Sequence, residues 1–176
     1  MLKLSGILTV IFSCLKIGIH FSDMLRLRII ELKDVEQCLI LLKSEIQLRS
    51  EILPLALNSA GQVIKSNIKN IFCSVSKEIN IDTKYGEGHS LSELWNLIVE
   101  KNSKYLHLTP EDLIVIRSIS TIFNGYDCET QINSIDLILT RIRFLLEKAH
   151  DNYEKKNRLY ITSGLLGGIL IATLFS

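Results

Sequence analysis

The stretch DCETQINSIDLILTRIRFLLEKAHDNYEKKNRLYIT, Asp127–Thr162, contains neither proline nor glycine. Its apolar residues recur every three or four positions, which is the period of a helix with one buried side. The positions on that side are Ile132, Ile135, Leu139, Ile142, Leu146 and Ala149. Because nothing in the stretch would end a helix, it predicts one long helix that leaves a folded body and continues into the apolar end of the chain.

The C-terminal apolar run, Leu159–Phe175, has 17 residues and no charged side chain. As a helix it would extend about 25 Å, slightly less than the hydrocarbon core of a bilayer. Lys155, Lys156 and Arg158 precede the run. This pattern predicts a transmembrane helix over residues 159–176, with its basic side in the cytoplasm. Three glycines inside the run disfavour the alternative, a C-terminal core helix.

A second apolar run lies at the N-terminus, from Leu4 to Phe21, and is interrupted by Lys16. A central lysine costs about 2.5–3.5 kcal/mol on insertion, which the apolar residues of the run roughly offset. Lys16 is also off-centre and can reach the nearer surface. We therefore predict a transmembrane helix over residues 1–22. Two alternatives stay open, a cleaved signal peptide and a lipoprotein-like cleavage box, IFSC, at Ile11–Cys14.

The residues between the two runs, 23–158, carry 18 basic and 19 acidic side chains, a net charge of −1. This balance argues against nucleic acid as a partner. The length is sufficient for one domain with its own core. Basic residues concentrate beside both apolar runs, so the positive-inside rule places this domain in the cytoplasm and both termini across the membrane.

Helix signals follow one another along this domain. An apolar stripe predicts a first helix over about residues 24–49. Its members are Leu32, Val35, Leu39, Leu42 and Ile46. Pro54 predicts the start of a second helix and Gly61 its end, and a third helix follows with Val63 on its inward side.

Two capping signals mark later helix starts. Ser90 stands three residues before Glu93, and the segment Thr109–Asp112 reads TPED. Ser90 and Thr109 can accept hydrogen bonds from the first free backbone N–H groups, and acidic residues suit the positive end of a helix. We therefore predict an all-α fold, an antiparallel bundle of about six helices flanked by N- and C-terminal transmembrane helices.

The chain offers few residues for catalysis or ligand binding. Its four histidines and four cysteines are scattered, without a C-x-x-C pair or a second ligand at helical spacing. This pattern argues against a zinc site and a disulfide framework. No phosphate-binding P-loop is present, and helix capping explains the paired carboxylates Glu111 and Asp112. We therefore expect no catalytic site, no cofactor and no metal.

Small residues recur inside the C-terminal run. Gly164 and Gly168 are four residues apart, and Ser163 and Gly167 form a second pair at the same spacing. In lipid, this spacing lets two helix backbones approach closely. The pairs predict packing against the first span or a partner's helix, although glycine is also simply common in membrane helices.

Several features occur in an order that resembles a known family. The chain begins MLKLSG, a helix contains SEI at Ser44–Ile46, a Pro-Leu segment follows at Pro54–Asn58, and Trp95 lies mid-chain. With a glycine-bearing C-terminal run, this order resembles the stage III sporulation protein AB family of endospore-forming bacteria. The resemblance covers nearly the whole chain.

The best local match to this family is the bend before the last helix, where the family tends to show G-x-x-D-x-x-x-Q. Asp127 and Gln131 fit the second half of that motif. Asn124 occupies the glycine position, and Gly125 follows it. Both residue types tolerate a left-handed backbone, so the ending of the preceding helix can be preserved.

The resemblance also implies a function. It implies a cytoplasmic domain similar to the module of type II secretion F proteins, of which LPLAL at Leu53–Leu57 is also reminiscent. It further implies a secretion-type partner ATPase similar to stage III sporulation protein AA. The chain would then belong to a channel complex between mother cell and forespore, with its domain on the mother-cell side.

We therefore predict a non-enzymatic inner-membrane scaffold that docks a cytoplasmic ATPase and other stage III membrane proteins. Whether it also forms a homo-oligomer stays open. Arg141 and Arg143 are candidate contacts because of their position on the last helix. Two alternatives stay open. One is a membrane-anchored adaptor or sensor whose helical domain binds a soluble ligand or protein, and the other is a lipid-modifying membrane enzyme.

Overall fold

The computed structural model describes residues 2–49, 53–85, 90–124 and 127–174. Within these ranges the chain is all-α, with six α-helices, one 3₁₀ helix and no strand. The helices are α1 Leu2–Arg49, α2 Leu53–Val63, α3 Ile68–Tyr85, α4 Leu91–Ser103, α5 Pro110–Arg117, the 3₁₀ helix Ser118–Asn124 and α6 Cys128–Leu174. The all-α prediction is confirmed.

The chain divides into two compact units. Residues 30–146 form the first, here called the bundle unit, and residues 1–29 with 147–176 form the second, here called the terminal unit. Helices α1 and α6 each contribute residues to both units. The sequence placed its boundaries elsewhere, at residues 22/23 and 158/159, and those boundaries stay a prediction.

The predicted apolar stripes form the core of the bundle unit. All five stripe residues of α1 are buried, from Leu32 to Ile46. On α6, Ile135, Leu139 and Ile142 are buried as well, and Ala149 follows in the terminal unit. Ile132 and Leu146, at the two ends of the predicted α6 stripe within the bundle, are half-buried. The helical period therefore predicted the buried sides of both long helices.

Both predicted caps are present as reciprocal capping boxes. The Ser90 hydroxyl accepts from Glu93 N–H at 3.3 Å, and the Glu93 carboxylate accepts from Ser90 N–H at 3.1 Å. At α5 the same exchange joins Thr109 and Asp112, at 3.3 and 2.8 Å. Each box satisfies N–H groups that a helix start leaves free. The N-termini of α4 and α5 are thus fixed locally.

Trp95 joins three elements in the bundle core. It is fully buried, and its indole N–H donates to the carbonyl of Ile116 at 2.9 Å. Its ring meets Phe72 of α3 and Phe123 of the 3₁₀ helix edge to face, with centroids 5.2 and 5.6 Å apart. Such pairs stabilise packing beyond the area they bury. Trp95 therefore joins α4 to α3 on one side and to α5 and the following 3₁₀ helix on the other.

Gly61 does not end α2, contrary to the sequence prediction, because the helix continues to Val63. A Cβ at Gly61 would lie 2.9 Å from Cys73 Sγ and 3.1 Å from Phe72 Cβ. This glycine therefore serves a close approach of α2 to α3. Since α2 extends further, α3 begins only at Ile68, and Val63 is exposed at the end of α2.

Two further boundaries complete the set of helices. Helix α5 stops at Arg117, and a 3₁₀ helix carries the chain to Asn124. Helix α1 is a single element from Leu2 to Arg49. The long last helix was predicted correctly, since α6 is unbroken from Cys128 to Leu174.

Neither long helix contains, within its described residues, a segment long and apolar enough to cross a membrane. The described residues thus do not support the two transmembrane helices predicted over residues 1–22 and 159–176. Lys16 and His20 lower the hydropathy of the first run, as Thr162 and Ser163 lower that of the second. Met1 and residues 175–176, with several nearby side chains, lie outside the described part.

Candidate interaction surfaces

Helices α1 and α6 pair antiparallel within the bundle unit. Two ion pairs join them, Lys43 Nζ to Asp136 Oδ1 at 2.6 Å and Arg143 Nε to Glu36 Oε1 at 2.7 Å. Since the partners are seven residues apart on each helix, both ion pairs lie along the same edge. Each ion pair involves a partly exposed side chain, and such pairs add little to stability. Their main effect is therefore to fix the register of α1 against α6.

Three exposed apolar residues lie close to these ion pairs along the two helices. Together they are here called the outer face, which consists of Ile40 of α1 with Leu137 and Phe144 of α6, which are 46%, 57% and 62% exposed. Leu137 and Phe144 are seven residues apart and so share one side of α6. The outer face is thus apolar, with charged residues along one edge.

Two arginines singled out by the sequence differ in their environment. Arg143 is engaged with Glu36 inside the chain. Arg141 is exposed, next to the outer face, and forms no ion pair with another described residue. Arg141 is therefore the better candidate for contact with another molecule, and its role stays a prediction.

In the terminal unit, α1 and α6 approach closely at glycines. A Cβ at Gly18 would lie 2.5 Å from the carbonyl oxygen of Tyr160, and one at Gly164 would lie 2.9 Å from that of Cys14. Real side chains do not reach these distances, so both positions require glycine at this backbone separation. Gly167 differs, because its Cβ would have nothing within 4 Å.

The four predicted packing residues are thus not equivalent. Gly164 lies against α1, and Gly168 is buried. Ser163 and Gly167 line a cleft of about 360 Å³ beside the glycine contact. The other residues of the cleft are Cys14, Ile17, Gly18, Phe21, Tyr160 and Gly164. Whether these residues pack helices inside a membrane stays a prediction.

Many large apolar side chains of the terminal unit are exposed, including Ile17 and Phe21 of the cleft. On α1 they are Phe12, Ile17, Ile19, Phe21, Met24 and Leu27, and on α6 they are Leu159, Ile161, Leu165, Leu166, Leu170 and Ile171. Monomeric soluble proteins rarely expose many large apolar residues together, and such surfaces usually contact proteins or membranes.

The bend before α6 is defined by Asp127. Its carboxylate accepts hydrogen bonds from the backbone N–H and the hydroxyl of Thr130, at 3.0 and 2.5 Å. The hydroxyl and then the backbone N–H of Thr130 lower the pKa of Asp127. Gln131 N–H donates to the Asp127 carbonyl at 3.2 Å. Asp127 therefore caps α6.

The other half of the bend motif is described only in part. Asn124 is the last residue of the 3₁₀ helix, while its side chain and all of Gly125 lie outside the described residues. A role of Asn124 and Gly125 in ending the preceding helix stays a prediction.

A buried carboxylate and a histidine, which sequence reasoning did not find, connect α1 to the loop before α5. Glu31 Oε2 accepts from His107 N–H at 2.7 Å, and Oε1 lies 3.1 Å from His107 Nδ1. Burial raises the pKa of Glu31, while the hydrogen bonds from His107 oppose that effect. Since the two residues are 76 positions apart, no local pattern could reveal them.

Asp34 makes a similar link one turn further along α1. Its carboxylate accepts from the backbone N–H of Ser66, in the loop between α2 and α3, at 3.2 Å. Asn67 of that loop donates through Nδ2 to the carbonyl of Tyr105 at 3.0 Å. These bonds bring the α2–α3 and α4–α5 loops together beside the start of the bundle unit.

The described residues contain no group of three or more His, Cys, Asp or Glu side chains arranged to hold a metal ion. Cys38 and Cys73 are buried among apolar neighbours, as expected for core residues. Burial, with smaller contributions from Asp34 and Cys73, raises the pKa of Cys38 to about 12. Its thiol donates to the carbonyl of Ala60 at 3.4 Å.

The fold and these surfaces define a class, an all-α helical bundle with a paired-helix terminal unit that exposes apolar side chains. The family model of stage III sporulation protein AB matches residues 3–176. The chain therefore belongs to this family, a sporulation family, which confirms the resemblance. Similarity to a type II secretion F module stays a prediction.

A solved structure supports the fold. It is that of stage III sporulation protein AB (SpoIIIAB), with a TM-score of 0.64 over 72% of this chain and 96% of that chain. The two sequences are 17% identical, so the likeness concerns the fold. No curated protein matches this chain.

Proposed function

We propose that this chain is a non-enzymatic, membrane-associated subunit of a stage III sporulation assembly, and that its bundle unit docks a protein partner. The match of the family model to residues 3–176 is the observation that carries the proposal. The exposed apolar residues of the terminal unit support membrane association, because lipid would remove them from water.

The outer face is the proposed docking surface of the bundle unit. It has one aliphatic anchor, Leu137, and one aromatic anchor, Phe144, on the same side of α6, and Arg141 lies beside them. Protein interfaces commonly combine such anchors with arginine. Resemblance to secretion F modules suggests a cytoplasmic ATPase similar to stage III sporulation protein AA as the partner, within a channel between mother cell and forespore.

Co-purification tests the docking proposal. The full chain in mild detergent is mixed with the candidate ATPase and captured, as wild type and as Leu137→Asp and Phe144→Asp. We expect the wild type to retain the ATPase and each variant to bind about tenfold more weakly or worse. Ile114→Asp is the matched control, because Ile114 is as exposed but lies on α5. Equal binding by all four chains would rule out the outer face, and no binding by the wild type would rule out this partner.

Extraction of cell membranes tests the membrane proposal separately. We expect the full chain to sediment with membranes, to remain there in high salt because apolar contacts hold it, and to be released by mild detergent. Recovery of the wild-type chain in the soluble fraction would contradict membrane association whatever the result with the ATPase.

A further inference from the structure

We propose that one end of the bundle unit, formed by the α2–α3 and α4–α5 loops, docks on anionic lipid headgroups. This inference rests on the proposed membrane association. The surface is here called the lysine face and consists of Lys65, Lys69, Lys101, Lys104 and Tyr105.

The hydrogen bonds of the loops bring the lysine face together. Asn67, between Lys65 and Lys69, bonds to the carbonyl of Tyr105, so the two loops share one surface. Lys104 Nζ lies 5.0 Å from the centroid of the Tyr105 ring, which is itself well exposed. A lysine over an exposed tyrosine is a combination suited to a membrane interface, where the ring meets the headgroup region.

Positive charges predominate among the exposed side chains of the face. Three of its lysines are exposed and Lys69 is half-buried, and none forms an ion pair with another described residue. Glu100 and Glu111 are exposed nearby and offset at most two of these four charges. The carboxylates of Glu31 and Asp34 accept hydrogen bonds from backbone N–H groups of the same loops. Glu31 is buried and Asp34 half-buried, so the exposed charge of these loops is mainly that of the lysines.

The face lies at the end of the bundle where the chain enters. Glu31 and Asp34, which hold its two loops, are among the first five residues of the bundle unit. The exposed apolar residue Phe21 is ten positions before Glu31, and ten residues span at most about 35 Å even when fully extended. If the terminal unit associates with a membrane, this end of the bundle is therefore within reach of its surface.

Anionic lipid fits this face better than a neutral surface. Clustered lysines beside a membrane-associated segment are attracted by the negative potential of anionic leaflets, and this attraction fades within a Debye length. The outer face and the lysine face lie on different elements of the bundle unit. A protein partner and the membrane therefore need not compete for one surface.

The test uses the full chain in nanodiscs of phosphatidylcholine alone or of phosphatidylcholine and phosphatidylglycerol at roughly 7:3. Brief acetylation followed by mass spectrometry reports the reactivity of each lysine. We expect Lys65 and Lys104 to react roughly fivefold more slowly in the anionic nanodiscs. About 0.5 M NaCl should abolish the difference. Lys77, exposed in the middle of α3, is the internal control and should react alike in both.

The double variant Lys65→Gln/Lys104→Gln provides a second measurement. In this variant Lys69 and Lys101 should lose their protection from acetylation, whereas the control variant Lys77→Gln should keep it. Equal reactivity in both nanodiscs overturns the lipid contact and leaves the proposed membrane association standing. Failure of the chain to enter either nanodisc overturns both. Protection that appears only when the ATPase is added assigns this face to a protein and also overturns the inference.

Discussion

Glu31 is a carboxylate that folding removes from water, with 3% of the residue exposed. Burial raises its pKa above the ordinary value of 4.5, although the hydrogen bonds from His107 act in the opposite direction. A raised pKa means that the folded chain holds the proton more tightly than the unfolded chain. The contribution of Glu31 to stability is therefore fully present below pH 4.5 and is lost as the pH rises through the folded-state pKa.

We predict that Glu31→Gln removes this loss, because glutamine cannot ionise. The free energy of unfolding of the variant, relative to wild type, should rise as the pH increases from about 4 to about 7. Urea unfolding of the full chain, followed by the fluorescence of Trp95, measures it. Gln37→Ala, exposed on the same helix, is the control and should follow the wild-type profile. Parallel profiles for Glu31→Gln and wild type would contradict the prediction.

Two cysteines should differ sharply in reactivity. Cys38 is buried with a pKa of about 12, whereas Cys128 is exposed. At about pH 8 only about one Cys38 in ten thousand is a thiolate, the form that alkylating reagents attack. We predict that iodoacetamide modifies Cys128 and spares Cys38 in the folded chain, as read by peptide mass spectrometry. Unfolding in guanidinium is the control and should make both reactive. Comparable rates in the folded chain would refute the burial of Cys38.

At the scale of helices, the contact of α1 with α6 in the terminal unit depends on Gly164, which has no Cβ. Gly164→Ala would bring a Cβ to 2.9 Å from the carbonyl oxygen of Cys14, a backbone atom that cannot rotate away. We predict destabilisation by about 1–3 kcal/mol. Gly167→Ala is the matched control, since its Cβ meets nothing within 4 Å. Alanine is also the better helix former by about 1 kcal/mol, so this control should be neutral or stabilising.

Hydrogen exchange of the terminal unit in mild detergent measures both glycine variants. Amides of α6 around residue 164 should exchange faster in Gly164→Ala and at the wild-type rate, or slower, in Gly167→Ala. Equal exchange in the two variants would mean that α1 and α6 do not approach through Gly164 in solution.

Helix starts and buried helix sides could be predicted from the sequence. Capping boxes and apolar stripes are local, because each depends on residues three to seven positions apart, and both were predicted correctly for Ser90, Thr109 and α1. Gly61 was misinterpreted because a glycine that ends a helix and one that admits a neighbouring helix look identical in sequence. Only the position of Cys73 across the contact separates the two cases.

The surfaces were harder to predict than the helices for the same reason. Arg141 and Arg143 were singled out together, yet one is paired with Glu36, more than a hundred residues away. The lysine face also combines residues from two loops through the Asn67–Tyr105 hydrogen bond. Such surfaces form from tertiary contacts, and sequence periodicity carries no information about which loops meet.

For the whole molecule, the distribution of buried residues separates the two units. Among the described residues, the buried hydrophobic side chains run from Leu32 to Leu145, with Ala149 beyond them. The bundle unit thus contains almost the entire core, including Trp95, and its length is typical of an independent domain. The terminal unit instead exposes much of its apolar surface. The bundle should therefore fold without the terminal unit, whereas membrane association should require it.

We predict that a fragment of residues 30–146 is helical, monomeric and cooperatively unfolded by heat, because the apolar area it buries drives folding on its own. Circular dichroism and the fluorescence of Trp95 should report one coincident transition. The fragment should stay in the supernatant when mixed with phosphatidylcholine vesicles that retain the full chain. Trp95→Ala in the same fragment tests whether its core drives folding, and it should lower the free energy of unfolding by about 3–5 kcal/mol. A fragment without a cooperative transition would show that the bundle unit cannot fold alone. A fragment that sediments with neutral vesicles, as the full chain does, would show that membrane association does not require the terminal unit.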